Sequence, residues 1–212
     1  MPAIPQVGGR RVDLPGTPAP SAGRTSPDTI QPSMGIDTQA FRQAAAHFAT
    51  GVTVVAYEAH GEIRGMTANS FTSVSLDPPL VLFCVTRSSR TGLLVHEVTR
   101  FSINILDDRQ RDLSAFFAGA WPAPTPPPHT FVPWEGVPRL GGGIAAFSCT
   151  TEAVHEGGDH WIVVGRVVAL DRAQPPQCRP LVFYSGGYVS LAAPGVRLED
   201  APLTIAWSGP WG

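Results

Sequence analysis

The sequence predicts a mainly β protein, an antiparallel barrel with a few helices packed outside it. Three observations carry that expectation. About seven short runs rich in β-branched and aromatic residues recur along the chain, bounded by Gly, Pro, Asp and Ser clusters. Only three stretches have helical spacing, and they do not alternate with the strands as a parallel βαβ sheet would require. No Gly-x-Gly-x-x-Gly opens a helix after a strand, so a doubly wound nucleotide fold is not indicated.

Composition sets the bounds. The chain has 212 residues, 43% hydrophobic and 15% charged, which suits one well-buried domain with tails. Net charge is -2 without a basic run, which argues against nucleic acid as a partner. Cys84, Cys149 and Cys178 are odd in number and widely spaced, so neither a disulfide framework nor a zinc knuckle is expected. No apolar stretch is long enough to span a bilayer and no export signal is evident, which points to the cytoplasm and away from membranes.

Residues 1–33 hold seven prolines, four glycines and no aromatic side chain, and are expected to be a disordered tail. The domain is expected over 34–191, and 192–212 return to tail composition. Asp37 is placed to cap a helix with Phe41, Ala44, Ala45 and Phe48 on one side and Gly51 at its end, lying across the open side of a sheet. Residues 52–57 and 63–70 form a hairpin about the turn 59–62, and Gly65 within it marks a close approach. Residues 80–86 form the next strand, and a helix follows with Leu93, Leu94 and Val98. Residues 101–106 are a strand. Asp108 caps a short helix with Leu113, Phe116 and Phe117, with either one phenylalanine facing core and the other a pocket, or both in the core. Residues 119–143 are expected to be a long Pro-rich loop, a lid or a partner arm. Residues 144–154 and 161–170 are long strands around a Gly-Gly turn, and 181–184 the last strand.

Two stretches carry candidate chemistry. Residues 65–79 crowd hydroxyls and an amide between apolar strands: Thr67, Asn69, Ser70, Thr72, Ser73 and Ser75. Neutral donors and acceptors suit a polar, uncharged ligand edge, though on this stretch alone local backbone bonding explains them slightly better. Residues 87–91 bring Arg87, Ser88, Ser89, Arg90 and Thr91 to a helix start, which suits a phosphate or ordinary capping. His155, Glu156, Asp159 and His160 flank the Gly-Gly turn, but a hairpin would splay them and no further ligand is in sight, so no metal site is assigned.

Four blocks together resemble the flavin reductase family of the FMN-binding split-barrel fold. They are residues 41–51 (FRQAAAHFATG), 65–79 (GMTANSFTSVSLDPP), 157–167 (GGDHWIVVGRV) and 180–188 (PLVFYSGGY), within a resemblance covering 37–191. The resemblance implies an antiparallel split β-barrel and an NAD(P)H:flavin oxidoreductase. Such an enzyme passes hydride from NADH or NADPH to FMN or FAD and supplies reduced flavin to a partner monooxygenase. It implies a homodimer with flavin near the subunit interface. Carried over by position, it puts Thr67, Ala68, Asn69 and Ser70 along the isoalloxazine and ribityl chain, and Cys84, Val85 and Thr86 beside the flavin through their backbone. Ser89, Arg90 and Thr91 would hold the phosphate and Phe117 the ring system. Gly158, Asp159 and His160 would form the nicotinamide side, with His160 closest to the hydride and Tyr184 bordering the same pocket. A flavin carrier without reductase activity and an oxidase of the pyridoxamine-phosphate type are the alternatives.

Overall fold

The protein is described here by a computed structural model, over residues 35–173 and 179–191. The stretches 1–33 and 192–212, expected to be tails, lie outside these residues. So does all of 174–177, which the sequence predicts to be a loop.

The chain begins with α1 (Thr38–Ala45), β1 (Thr50–Gly51), β2 (Thr53–Ala59), β3 (Glu62–Ala68), β4 (Thr72–Leu76) and β5 (Pro79–Thr86). Next come α2 (Arg90–Leu94), β6 (Arg100–Ile105), a 3-10 turn (Asp108–Gln110) and α3 (Arg111–Phe117). The remainder is β7 (Phe131–Trp134), β8 (Val137–Leu140), β9 (Ala145–Gly157), β10 (His160–Arg172), β11 (Val182–Tyr184) and β12 (Gly187–Val189). Seven strands form the main sheet in the order β3-β2-β6-β9-β10-β5-β4, every neighbouring pair antiparallel. β1, β11 and β12 make a small second sheet, and β7 with β8 a hairpin. The mainly β, antiparallel expectation is met.

The alternation along β2 explains the two cores. Val55 and Tyr57 point into a cluster with Phe83, Phe101, Ile103 and Val163. Val52 and Val54, one pleat out of phase, join Leu106, Leu113, Leu140 and Leu181. Because β2 is buried on both faces, its sequence is a continuous apolar run rather than an alternating one. Burial in the first cluster pushes the Cys149 thiol up to about 12.

Several expectations are corrected. α1 is capped by Asp37, whose carboxylate accepts from the Ala40 N–H at 2.8 Å, but it ends at Ala45, and Gly51 belongs to β1. None of its residues is buried: Phe41 is 62% exposed and Phe48, just beyond it, 77%. α2 stops at Leu94, so Val98 packs on the core from outside the helix. The capping aspartate is Asp107, not Asp108: it caps the 3-10 turn that leads into α3 and forms a reciprocal capping box with Gln110, while α3 itself has no side-chain cap. The 119–143 loop contains the β7–β8 hairpin, with Val137 and Leu140 buried. The last strand is β12, reached through a turn at Ser185 and Gly186. No helix among the described residues is long and apolar enough to cross a membrane.

Candidate functional site

A cleft of about 790 Å³ opens between β3, the turn after it, the end of β5, the start of α2 and the end of α3. Of the residues expected at the site, Thr67, Ala68, Asn69, Ser70, Cys84, Val85, Thr86, Ser89, Arg90, Thr91, Phe117 and His160 line it. Gly158, Asp159 and Tyr184 do not. Gly158 and Asp159 form the tip of the β9–β10 turn, with Asp159 behind His160. Tyr184 lies on β11 against the His47 ring, 6.3 Å between centroids. Tyr57, Glu62, Arg64, Met66 and Phe116 line the cleft without having been expected there.

The polar wall is built by backbone bonding. Thr67 Oγ1 donates to the Ser114 carbonyl at 2.7 Å, fastening β3 to α3. Ser70 Oγ accepts from the Cys84 N–H at 2.8 Å and donates to the Cys84 carbonyl at 3.3 Å, fastening the turn to β5. These two hydroxyls are occupied by the fold, as the local-bonding reading anticipates. The Asn69 side chain makes no hydrogen bond to the described residues and stands exposed in the cleft.

Gly65 is a close approach, as expected. A Cβ there would sit 2.8 Å from the Phe117 ring, so only glycine lets that ring lie on β3. Phe117 packs edge-on to Phe116, His129 and Phe131, which ties the Pro-rich segment to the cleft wall. Both phenylalanines line the cleft.

At the α2 start, Ser89 is a cap: its Oγ accepts from the Gly92 N–H at 3.0 Å and donates to the Thr86 carbonyl at 2.8 Å. The buried Tyr57 hydroxyl donates to Thr91 Oγ1 at 3.0 Å. Arg90 is exposed, and its guanidinium makes no hydrogen bond to the described residues.

The β9–β10 turn adds a chain of side chains. His160 Nδ1 lies 2.7 Å from Asp159 Oδ1, and Nε2 lies 3.1 Å from Thr86 Oγ1. The bond to His160 holds the Asp159 carboxyl below its usual range, so it is ionised near neutrality. Nδ1–H therefore donates to Asp159, and in the neutral imidazole Nε2 accepts from the Thr86 hydroxyl. Arg87 braces this turn: its guanidinium lies 4.2 Å over the Trp161 ring, and its backbone N–H donates to the Asp159 carbonyl at 3.0 Å.

Comparison with known proteins decides the family. Residues 45–192 match the family described as flavin reductase like domain. The chain belongs to the flavin reductase family. It is 37% identical over 164 residues to the reductase subunit HsaB of a flavin-dependent monooxygenase from Mycobacterium tuberculosis, covering 75% of this chain and 85% of that one. It is 42% identical over 153 residues to an NADH-dependent flavin reductase from a Rhodococcus species, covering 71% and 84%. Among solved structures it resembles the flavin reductase PheA2, with a TM-score of 0.69 and 36% identity over 74% of this chain and 99% of that one. The split-barrel fold and the flavin reductase activity class expected from the sequence are those of this family.

The lining fits a flavin nucleotide. The β5 backbone and the Phe117 ring line one side, Asn69 and the Thr86 hydroxyl offer neutral polar groups, and Arg90 offers a cation for an anionic tail.

Proposed function

We propose that this chain is an NADH-dependent reductase of FMN or FAD, with the flavin in the cleft between β3, β5, α2 and α3. The observation that carries this reading is the convergence of three sequence-distant stretches, 67–70, 84–91 and the His160 turn, on one cleft. NADPH is the alternative donor, and the relatives named NADH-dependent favour NADH.

A bound flavin supplies the redox chemistry, accepting hydride from the reduced nicotinamide. The protein's part is position, and hydride transfer needs the reacting atoms ~3–3.5 Å apart. The backbone of Cys84, Val85 and Thr86 and the Phe117 ring orient the ring system. Asn69 and the backbone of Thr67, Ala68 and Ser70 meet its polar rim. Arg90, with the backbone at Ser89 and Thr91, holds the phosphate. His160, fixed by Asp159 and Thr86, packs beside the nicotinamide, with Gly158 giving the turn its reach. Tyr184 has no part in this site within one protomer.

The reduced flavin passes by diffusion to a monooxygenase, the arrangement that HsaB's name as a reductase subunit supports. A homodimer covers the apolar surface left on and after α1 at Phe41 and Phe48. A cytoplasmic location accompanies the use of a reduced nicotinamide nucleotide, and 34–191 is the working domain.

The test is NADH oxidation followed with FMN, FAD and riboflavin in turn, alongside light scattering for oligomeric state. Turnover with a flavin acceptor supports the reductase. Tight flavin binding without NADH oxidation makes the chain a carrier instead.

A further inference from the structure

Arg64 is a cleft cation to which the roles above give no part. On the β2–β3 hairpin it stands directly opposite Tyr57, so both side chains leave the same face of the sheet. Tyr57 is bonded through its hydroxyl to Thr91 at the start of α2. Arg64, beside Tyr57, is thereby placed at the same end of the cleft as Ser89, Arg90 and Thr91.

Its guanidinium is half-buried, and Nε is shielded from solvent with no hydrogen-bond partner. The one hydrogen bond of the side chain among the described residues is from Nη2 to Glu62 Oε2 at 2.8 Å. Glu62 is exposed and sits two residues earlier on the same face of β3. With Glu62 largely in solvent, such a pair contributes little to stability, and it leaves most of a five-donor planar fork unused. A buried cationic N–H without an acceptor is unfavourable unless an acceptor arrives. A phosphate, with several oxygens in reach of one fork, matches that geometry.

We propose that Arg64 is a second phosphate-contacting residue of the cleft, acting with Arg90, and that it selects phosphorylated flavins over riboflavin. This rests on the flavin-binding reading above. Glu62 is then a displaceable stand-in. It holds the guanidinium extended in the absence of ligand and competes with the phosphate oxygens for it.

The test is equilibrium binding of FMN and of riboflavin to the full chain, without nicotinamide, followed by flavin fluorescence. The variants are Arg64→Gln, Arg64→Lys and Glu62→Gln. Loss of a charge-assisted bond is expected to raise the Kd for FMN roughly 10- to 100-fold in Arg64→Gln, with riboflavin within about twofold of the parent. Arg64→Lys keeps the charge without the fork and should fall between them. Glu62→Gln should tighten FMN and leave riboflavin alone. Equal changes for the two flavins, or none, overturn the proposal. So does a raised KM for NADH, assayed with riboflavin as acceptor, alongside an unchanged FMN-to-riboflavin ratio, which would give Arg64 to the nicotinamide nucleotide's phosphates. If Arg64→Gln fails to fold, the ratio in Arg64→Lys decides. A parent protein that binds neither flavin overturns the underlying reading itself, a result no variant is needed to see.

Discussion

The 67–70 stretch and the 157–160 turn serve one cleft and are held in opposite ways. In the first, the Thr67 and Ser70 hydroxyls are spent on backbone groups of α3 and β5. None of those partners titrates, so the wall keeps its shape whatever the pH or ligand. In the second, His160 is held by two other side chains, Asp159 and Thr86, near solvent. The difference separates a preformed binding wall from an adjustable group beside it. The α2 start shares the backbone-fastened character of the first region, since Thr86 and Ser89 clasp each other through carbonyl, amide and hydroxyl.

The largest effect is expected from breaking the fastened side. A Cβ at Gly92 would collide with the Thr86 carbonyl and stand 2.8 Å from the Arg87 carbonyl, both rigid backbone. Gly92→Ala should cost about 3 kcal/mol, the upper range for overpacking. That is roughly 6–12 °C in Tm at ~2–4 °C per kcal/mol for a chain of this size. Thermal denaturation reads it, and an unchanged Tm would mean that α2 slides freely on β5.

Breaking the adjustable side should cost activity rather than stability. His160→Ala should slow flavin reduction or raise the KM for NADH, up to ~10²-fold if near-attack geometry is lost. Flavin affinity should stay close to the parent's, because the wall does not lean on His160. Stopped-flow reduction of bound flavin measures both. A variant unable to hold flavin would move His160 to the flavin side and erase the contrast.

The smallest effect sharpens the contrast through pH. Burial pushes the Asp107 carboxyl up, but hydrogen bonds from the Arg109 side chain and backbone outweigh it and hold it below the ordinary 3.8. A carboxyl depressed in the folded state adds stability above its unfolded pKa and loses it as pH falls through the folded one. Asp107, 3% exposed, should therefore contribute to acid unfolding below about pH 4, and Asp107→Asn should flatten that limb by roughly 1 kcal/mol. Asp159 is also depressed, by its bond to His160, but its side chain is 88% exposed. Asp159→Asn should leave the acid unfolding curve where it was. Urea midpoints between pH 2 and 7 compare the two variants directly.

The sequence made the fastened wall visible through its crowd of hydroxyls, and the turn through Gly-Gly-Asp-His. What it hid follows from physics it also contained. β7 and β8 lay inside a Pro-rich stretch, yet Glu135 and Gly136 both take positive φ, a two-residue turn that fits a hairpin. Pro133 and Pro138 face each other in that hairpin, where a short two-stranded ribbon makes few demands on missing N–H donors. Tyr57 reads locally as a strand residue only, because nothing nearby in the sequence shows that its hydroxyl reaches Thr91, 34 positions away. Arg64 carried a readable signal: it stands one pleat from Met66 and two from Ala68 on the buried face of β3. The resemblance puts Tyr184 at the cleft, whereas Tyr188, on the adjoining β12, is the tyrosine that bonds α3, through Ser114 at 2.8 Å. Pairing across a small separate sheet is invisible to local pattern.

The seat of Trp161 gives the protein a built-in optical probe. Its indole has the Arg87 cation over one face and the His96 ring edge-on at 4.9 Å, and it is bonded in sequence to His160. Any shift of the turn must change the electric field on that ring, and with it the wavelength and yield of its emission. Subtracting the spectrum of a Trp161→Phe variant isolates this signal from the four other tryptophans. The movements of the β9–β10 turn can then be timed in the unlabelled protein, by light alone.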